Sequence, residues 1–276
     1  MGVPYAEVIG DPIAHSKSPL IHNFWLEKTG AEGDYRRCLV RPDELGGYFE
    51  ARRRDEDWRG CNITMPHKIA ALEYAHMHRD PSFPIQGINV AAPGKDGSLQ
   101  GMNTDTTGLM MPLLQVPGNR LGGEGGPAIV VGAGGVLFSV MTALAAFGYA
   151  PIWVVLRDPE KAAVVEEEYR GVHARTLTFS DPLPPARILV NASPLGMKGY
   201  PPFPLTLDSI EGGGVVFDLV YTPLETELLK AARARGLRTI DGLAMLIAQA
   251  APAFELFFGV PAPREHDEAL RELLTS

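Results

Sequence analysis

Ala128-Ile-Val-Val-Gly-Ala-Gly-Gly135 is the stretch on which the fold turns: an apolar β-rich run that breaks into a glycine turn and continues as a helical pattern from Val136 to Phe147. Gly132 and Gly134 carry no Cβ, so the chain can turn tightly and leave the amides that open the following helix facing outward, where they suit a pyrophosphate. The segment Gly132-Ala133-Gly134-Gly135-Val136 is therefore the expected phosphate cradle of a dinucleotide site. The third glycine of the G-x-G-x-x-G pattern is Leu137 here, and a bare G-x-G also describes an ordinary strand-to-helix turn. The next β-rich run, Ile152 to Leu156, tips the balance toward a nucleotide. It ends in Arg157-Asp158, about 20 residues past the turn, where the ribose of the adenosine half is read.

Working outward, further short β-rich runs alternate with helical patterns: Tyr5 to Ile9, Tyr35 to Val40, Cys61 to Thr64, Ile188 to Val190 and Val215 to Leu219. That alternation predicts an α/β protein with mostly parallel sheets. The run Ile188 to Val190 leads into Asn191-Ala-Ser-Pro-Leu-Gly-Met197, and small residues at the carboxyl end of a parallel strand suit a loop bordering a ligand crevice. Asn191 and Ser193 are accordingly candidates for cofactor contact, although any turn accepts such residues. Val116 to Gly126, VPGNRLGGEGG, holds five glycines and reads as a loop ahead of the nucleotide unit. The apolar segment Leu243 to Phe258 mixes helical spacings and is compatible with packing on either side of that break.

Composition narrows the partners. With 276 residues and 45% hydrophobic content the chain can bury one large or two modest cores. A formal net charge of -8 argues against phosphate-driven binding to nucleic acid. The two cysteines, Cys38 and Cys61, have neither a disulfide framework nor metal-ligand spacing, so no metal is expected. No charged and apolar leader precedes Tyr5, and no apolar stretch reaches about 18 residues, so a cytoplasmic protein that does not cross a membrane is expected.

Three polar segments lie outside the nucleotide unit. Asp11-Pro-Ile-Ala-His-Ser-Lys-Ser-Pro19 precedes a helical pattern, with Ser18 as the expected N-cap and Pro19 as the first helical residue. The same geometry makes a carboxylate receptor, because two adjacent hydroxyls stand at a helix N-terminus. Asn62-Ile-Thr-Met-Pro-His-Lys68 also enters a helical pattern through a proline. Asn62 and Thr64 alternate at a strand end and offer hydrogen bonds to hydroxyls, Lys68 is either a solvated helix residue or functional, and His67 reads as a surface histidine. Gly101-Met-Asn-Thr-Asp-Thr-Thr-Gly108 sets Asn103 and Asp105 before another helix, where Asp105 is an N-cap or a catalytic group. Asn89 reads as a turn asparagine ahead of an apolar run.

Taken in order, VIGDPIAHSKSPLIHN from Val8 to Asn23, NITMPHK from Asn62 to Lys68, GMNTDTTG from Gly101 to Gly108 and VVGAGG from Val130 to Gly135 resemble the shikimate dehydrogenase family. NASPLGM from Asn191, DLVYTP from Asp218 and GLAMLIAQA from Gly242 continue the likeness over nearly the whole chain. The resemblance implies a substrate-binding catalytic domain of residues 1–107 completed by 242–276, with a Rossmann-like NAD(P) domain of residues 108–241 inserted between. It implies that Ser16 and Ser18 hold the substrate carboxylate with Tyr221 nearby, that Asn62, Thr64, Asn89, Asp105 and Gln249 meet the ring hydroxyls, and that Lys68 and Asp105 form the catalytic pair. The implied activity is reversible NADP-dependent reduction of 3-dehydroshikimate to shikimate, in aromatic amino acid biosynthesis, by a monomer or homodimer. The rivals are an NAD-dependent quinate/shikimate dehydrogenase and a non-catalytic sensing module of the same fold; Lys68 and Asp105, both present, disfavour the latter.

The likeness has departures. Val90 follows Asn89 where the family usually has threonine, Phe138 and Ser139 follow the glycine turn where arginine and alanine are common, and Leu156-Arg157-Asp158 replaces asparagine-arginine-threonine. For the cofactor, Arg157 occupies the position that the resemblance assigns to the 2′-phosphate of NADP, whereas Asp158 suits the free ribose diol of NAD. NADP is the expectation, with a modest preference.

Overall fold

The glycine turn lies between a buried strand and a helix in the computed structural model, whose described residues are 2–77 and 87–275. The elements run β1 (Tyr5–Gly10), α1 (Ser18–Thr29), β2 (Asp34–Leu39), α2 (Leu45–Arg52), β3 (Trp58–Ile63), β4 (Val90–Pro93) and β5 (Leu99–Met102). They continue with α3 (Asp105–Leu114), β6 (Gly126–Val131), α4 (Leu137–Ala146), β7 (Tyr149–Leu156), α5 (Ala162–Glu168), β8 (Ala174–Thr178), β9 (Ala186–Asn191), β10 (Ile210–Asp218), α6 (Glu227–Ala234), β11 (Arg238–Ile240), α7 (Gly242–Phe258) and α8 (Asp267–Thr275). The chain divides into two compact units, one of residues up to Asp105 together with those from Gln249 onward, the other of Thr106–Ala248.

In the first unit the sheet order is β2-β1-β3-β4-β5. The strands β1, β2 and β3 run parallel, but β4 and β5 form an antiparallel hairpin, and β4 joins β3 antiparallel. This sheet is mixed where parallel pairing was expected. The hairpin reverses at Gly94–Ser98, where Gly97 takes φ +80 after Asp96, the aspartate-glycine turn chemistry that two very short strands leave easy to miss. The strands carry Ala6, Val8 and Val90 to one face against Ala253 and Phe257 of α7, and Ile9, Cys61 and Ile63 to the other against Phe49 and Trp58.

Two further polar groups of this unit are buried. Glu7, 2% exposed, is held by Arg52 through contacts of 2.7 and 3.0 Å and by the Tyr48 hydroxyl at 2.9 Å, so its charge is paired and hydrogen-bonded. His22 on α1 is fully buried and stacks on Tyr35, ring centroids 4.0 Å apart at 4°, beside Trp25, Phe254 and Phe257. Neither ring nitrogen has a hydrogen-bond partner among the described residues, and burial lowers its pKa to about 3.

In the second unit all six strands are parallel, in the order β11-β10-β9-β6-β7-β8. Counted within the unit, this is the doubly wound order of dinucleotide-binding folds, reversing direction between β6 and β9. The centre strands are apolar on both faces, Ala128, Val130, Ile188 and Val190 packing on one side and Ile129, Val131, Leu189 and Val216 on the other. The sequence runs identified β6, β7, β9 and β10; β8 and the three-residue β11 have weaker apolar patterns and were not anticipated. Ala244 and Met245, early in α7, pack on this unit's core, whereas its later residues Ala253 and Phe257 pack on the first unit's. Among the described residues no helix is long and apolar enough to cross a membrane.

Candidate active site

The strands β1 and β3 are parallel neighbours, so their carboxyl ends lie side by side. Thr64 N donates to Ile9 O at 3.0 Å and Asp11 N to Met65 O at 3.1 Å, binding the two outgoing segments together. The segment after β3 is not the helix that Pro66 suggested. It is a run of turns followed by a short 3₁₀ helix, Ala70–Glu73, and His67 is buried rather than at the surface, donating from Nε2 to Val40 O at 2.7 Å. That anchor fixes the turn carrying Lys68. Ile88 N donates to Lys68 O at 2.8 Å, drawing the entry to β4 against the same turn.

Asn89 is the hub of the cluster, a larger role than a turn asparagine. Its backbone joins β3 to β5, with Ile63 N donating to Asn89 O at 2.8 Å and Asn89 N to Met102 O at 3.0 Å. Its side-chain oxygen accepts from Thr104 N at 2.7 Å, and its amide nitrogen lies 2.9 Å from both Thr104 Oγ1 and Asp105 Oδ1 and 3.3 Å from Gln249 Oε1. Asp105 opens α3, but its carboxylate is turned to Asn89 and Lys68, and the Asp105 amide is met instead by Asn103 Oδ1 at 3.0 Å. The Lys68 ammonium donates to Asp105 Oδ2 in a tight ion pair, with side chains 20% and 6% exposed. Asn62 is buried beside this group; Tyr35 OH donates to its Oδ1 at 2.6 Å and its Nδ2 reaches Asn89 O at 3.3 Å. The first unit thus brings Asn62, Lys68, Asn89, Asp105 and Gln249 into one connected polar cluster, with Thr64 half-buried at the end of β3.

Ser16 and Ser18 stand at the start of α1, 8% and 6% exposed. Ser18 is the first helical residue rather than the N-cap; the Ser18 amide donates to Ser16 Oγ at 3.3 Å, so it is Ser16 whose hydroxyl meets the helix opening. Two cations secure the backbone on either side. Arg37 on β2 donates to Ser16 O through Nε at 3.0 Å and Nη2 at 2.5 Å, and Lys17 donates to Leu274 O at the end of α8. Tyr35, Arg37 and Thr104 are the members that sequence reasoning missed. Nothing local marks them, since each acts on a partner from another element.

In the second unit the turn after β6 meets the turn after β9 at the reversal of strand order. Gly132 has φ +104, and a Cβ there would lie 3.0 Å from Ser193 Cβ and 3.1 Å from Ala192 O, so only glycine suits both the backbone and the close approach. Ala133 is half-buried, Gly134 and Gly135 are exposed, and Val136 leads into α4. This open cradle at the switch point, with glycine at 132, 134 and 135, fits the pyrophosphate of a dinucleotide. Asn191 is fully buried, its Nδ2 donating to Asp218 Oδ1 at 2.9 Å and Leu195 O at 3.0 Å while Oδ1 accepts from Ser193 Oγ at 2.6 Å. Its side chain therefore shapes the loop from within. Burial raises the Asp218 carboxyl, which also accepts from Thr226 Oγ1 at 2.6 Å. Arg157 and Asp158 are exposed past the end of β7, and Asp158 Oδ1 caps the next turn by accepting from Glu160 N at 3.1 Å. Tyr221 follows β10, half-buried, with its hydroxyl pKa raised by burial.

One unit is doubly wound with a glycine cradle and the other is an α/β unit carrying a part-buried lysine–aspartate pair, a combination that defines the two-unit class of nucleotide-dependent dehydrogenases. The model of the shikimate dehydrogenase substrate binding domain matches residues 8–91, and that of the shikimate 5′-dehydrogenase C-terminal domain matches residues 242–270. The chain belongs to the shikimate dehydrogenase family. It is 50% identical to shikimate dehydrogenase (NADP(+)) of Sphingopyxis alaskensis over 99% of this chain and 97% of that one. Shikimate 5-dehydrogenase of Thermus thermophilus, solved in complex with NADP(H) and shikimate, is 36% identical with a TM-score of 0.81, covering 98% of this chain and 99% of that chain. Quinate dehydrogenase of Corynebacterium glutamicum in complex with NAD is 27% identical with a TM-score of 0.85, covering 98% and 99%.

Proposed function

We propose that the chain is an NADP-dependent shikimate dehydrogenase, reversibly interconverting 3-dehydroshikimate and shikimate. The observation that supports this most directly is the Lys68–Asp105 pair braced by Asn89. The nicotinamide of the bound cofactor supplies the hydride that reduces the C3 carbonyl. As that carbon is reduced, negative charge grows on its oxygen, and the Lys68 ammonium stabilises the charge and passes a proton to it, becoming an amine. Asp105 orients Lys68 and, with Asn62, Thr64, Asn89 and Gln249, accepts or donates to the ring hydroxyls. Ser16 and Ser18 receive the carboxylate at the start of α1, with Tyr221 as a further contact. Residues 1–107 with 242–276 form the substrate domain and residues 108–241 the nucleotide domain, where Gly132 to Val136, Asn191 and Ser193 border the dinucleotide and Arg157 reads the 2′-phosphate. We place the enzyme in the cytoplasm, as a monomer or homodimer.

Steady-state kinetics crossing shikimate and quinate with NADP and NAD test the proposal. The highest kcat/KM is expected for shikimate with NADP. Faster turnover of quinate, or with NAD, would assign the chain to the quinate-type activity instead, and no turnover with any pair would remove the catalytic reading.

A further inference from the structure

The glycine-rich segment 116–126, expected to be a plain connection, packs down at the end of the parallel sheet opposite the nucleotide cradle. It meets the amino ends of β6, β7 and β11 near Gly126, Tyr149 and Arg238, whereas Gly132 and Ser193 follow carboxyl ends. Gly122 N donates to Ala146 O at 2.8 Å and Gly125 N to Gly148 O at 3.1 Å. The fit leaves no room for a side chain, since a Cβ on Gly148 would fall 1.8 Å from Gly123 O.

This packing leaves a cavity of about 100 Å³ lined by Asn119, Arg120, Glu124, Tyr149, Arg187 and Arg238 among others. Arg120, Arg187 and Arg238, all exposed, line it against Glu124, with Glu211 beside Arg187, which leaves a local excess of positive charge in a chain whose formal net charge is -8. Tyr149 OH donates to Asn119 Oδ1 at 3.0 Å, which directs Nδ2 as a donor; that nitrogen is buried and has no acceptor among the described residues. A buried donor of this kind calls for an acceptor, and the cavity is wide enough to admit one. Two of the lining carbonyls already accept a hydrogen bond, Val116 O from Asn119 N at 3.0 Å and Pro117 O from Arg238 Nη1 at 2.9 Å. Arg187 is only loosely paired with Glu211, at 3.4 Å with both side chains about half exposed.

We propose that this cavity binds a small tetrahedral oxyanion of the phosphate or sulfate kind, with Asn119 Nδ2, Arg120 and Arg187 as its donors. The site is separate from the nucleotide's phosphates and independent of the catalytic assignment. Bound there, the anion ties the segment leading to β6 onto the starts of its neighbouring strands and raises the second unit's stability by mass action.

Isothermal calorimetry with inorganic phosphate tests it, on the full chain saturated with NADP so that the cofactor's own phosphate positions are filled. Saturable one-to-one binding is expected, weakened about tenfold or more in Arg120→Gln and in Arg187→Gln by loss of a charge-assisted hydrogen bond. Asn119→Asp keeps an oxygen for Tyr149 while adding a negative charge, and should abolish binding; circular dichroism checks that each variant is folded. Glycerol phosphate run in parallel separates the sources: binding of inorganic phosphate alone means a free ion, and binding of both means that phosphate esters are admitted, either of which supports the site. Absence of saturable binding in the NADP-saturated wild type, or undiminished binding in both arginine variants, would overturn the proposal.

Discussion

Asn89 Nδ2 stands 2.9 Å from Asp105 Oδ1, while the other oxygen of the same carboxylate holds Lys68. One buried carboxylate thus orders two donors on different segments, one at the start of β4 and one on the turn after β3. An ammonium on a flexible four-carbon stem is thereby held in one direction before any substrate arrives, the kind of advance positioning on which electrostatic catalysis depends.

Lys68→Ala should therefore lose turnover rather than binding. A fall in kcat of about 10²- to 10⁴-fold is expected for a proton donor that acts in the transition state, with KM for shikimate changed little. Asp105→Asn, which keeps an oxygen for Asn89 but removes the anchor charge, should lower kcat in the same direction. Steady-state kinetics decide the matter, and near-normal kcat in Lys68→Ala would remove the lysine from the mechanism.

The two serines should respond differently from the lysine. A carboxylate bound in both ground and transition states contributes largely uniform binding, so Ser16→Ala and Ser18→Ala are expected to raise KM for shikimate with smaller effects on kcat. Ser16→Ala also removes the oxygen that meets the Ser18 amide, and should lower stability by about 1 kcal/mol where Ser18→Ala does not. Unchanged shikimate affinity in both variants, measured by calorimetry, would leave only the helix-opening role.

Acid should weaken the first unit through His22. Its folded-state pKa is lowered from 6.5 to about 3 by burial, so the neutral ring is favoured by folding and unfolding takes up a proton below pH 6.5. Its contribution is complete above that pH and is lost as pH falls from 6.5 toward 3, at about 1.4 kcal/mol per pH unit. His22→Phe keeps an aromatic ring for Tyr35 and does not titrate. Urea unfolding followed by tryptophan fluorescence, at pH 7 and at pH 4.5, should show a smaller acid loss in the variant by roughly 2 to 3 kcal/mol. Equal acid sensitivity in the two proteins would count against the assignment.

On the proposed assignment, cofactor preference is expected to depend on two adjacent exposed residues, Arg157 and Asp158. Arg157→Ala should collapse or reverse the NADP preference, a loss of about 1 to 3 kcal/mol or roughly 10- to 150-fold in kcat/KM. Asp158→Ser should widen it. Serine retains an oxygen to cap the Glu160 amide, so the effect of removing the carboxylate can be read without disturbing the turn. NADP kinetics untouched in Arg157→Ala would refute the ribose-pocket assignment.

The parts of this molecule that could be read from its sequence are those fixed over short distances. The Gly132 turn is one, because its backbone conformation and its lack of Cβ are local properties between an apolar run and a helix. Lys68 and Asp105 were singled out by a family likeness, but the brace between them was not, since Asn89 reaches partners 15, 16 and 160 positions away in the chain. Tyr35 and Arg37 read as strand residues and nothing more; their hydroxyl and guanidinium act on Asn62 and Ser16 only because β2 lies beside β1. The β4–β5 hairpin escaped because each strand is four residues long, and the glycine-rich segment because composition signals a loop without saying what it packs against.

The outermost position of β2 in its sheet also bears on how copies of the protein meet one another. An outer strand offers backbone groups along its free side as a template on which another chain can extend the sheet and aggregate, and in β2 the Asn23 side chain already takes Tyr35 N at 3.0 Å and Tyr35 O at 2.8 Å. The strand Asp34–Leu39 carries Arg36 and Arg37 at its middle. If two copies paired antiparallel about a two-fold axis, the fullest overlaps would set either Arg36 opposite Arg36 or Arg37 opposite Arg37, and like charges directly opposite are destabilising. The strand that steadies Ser16 from within its own chain is thereby poorly suited to adding a strand from another, and removing both charges would be expected to cost solubility before it cost fold.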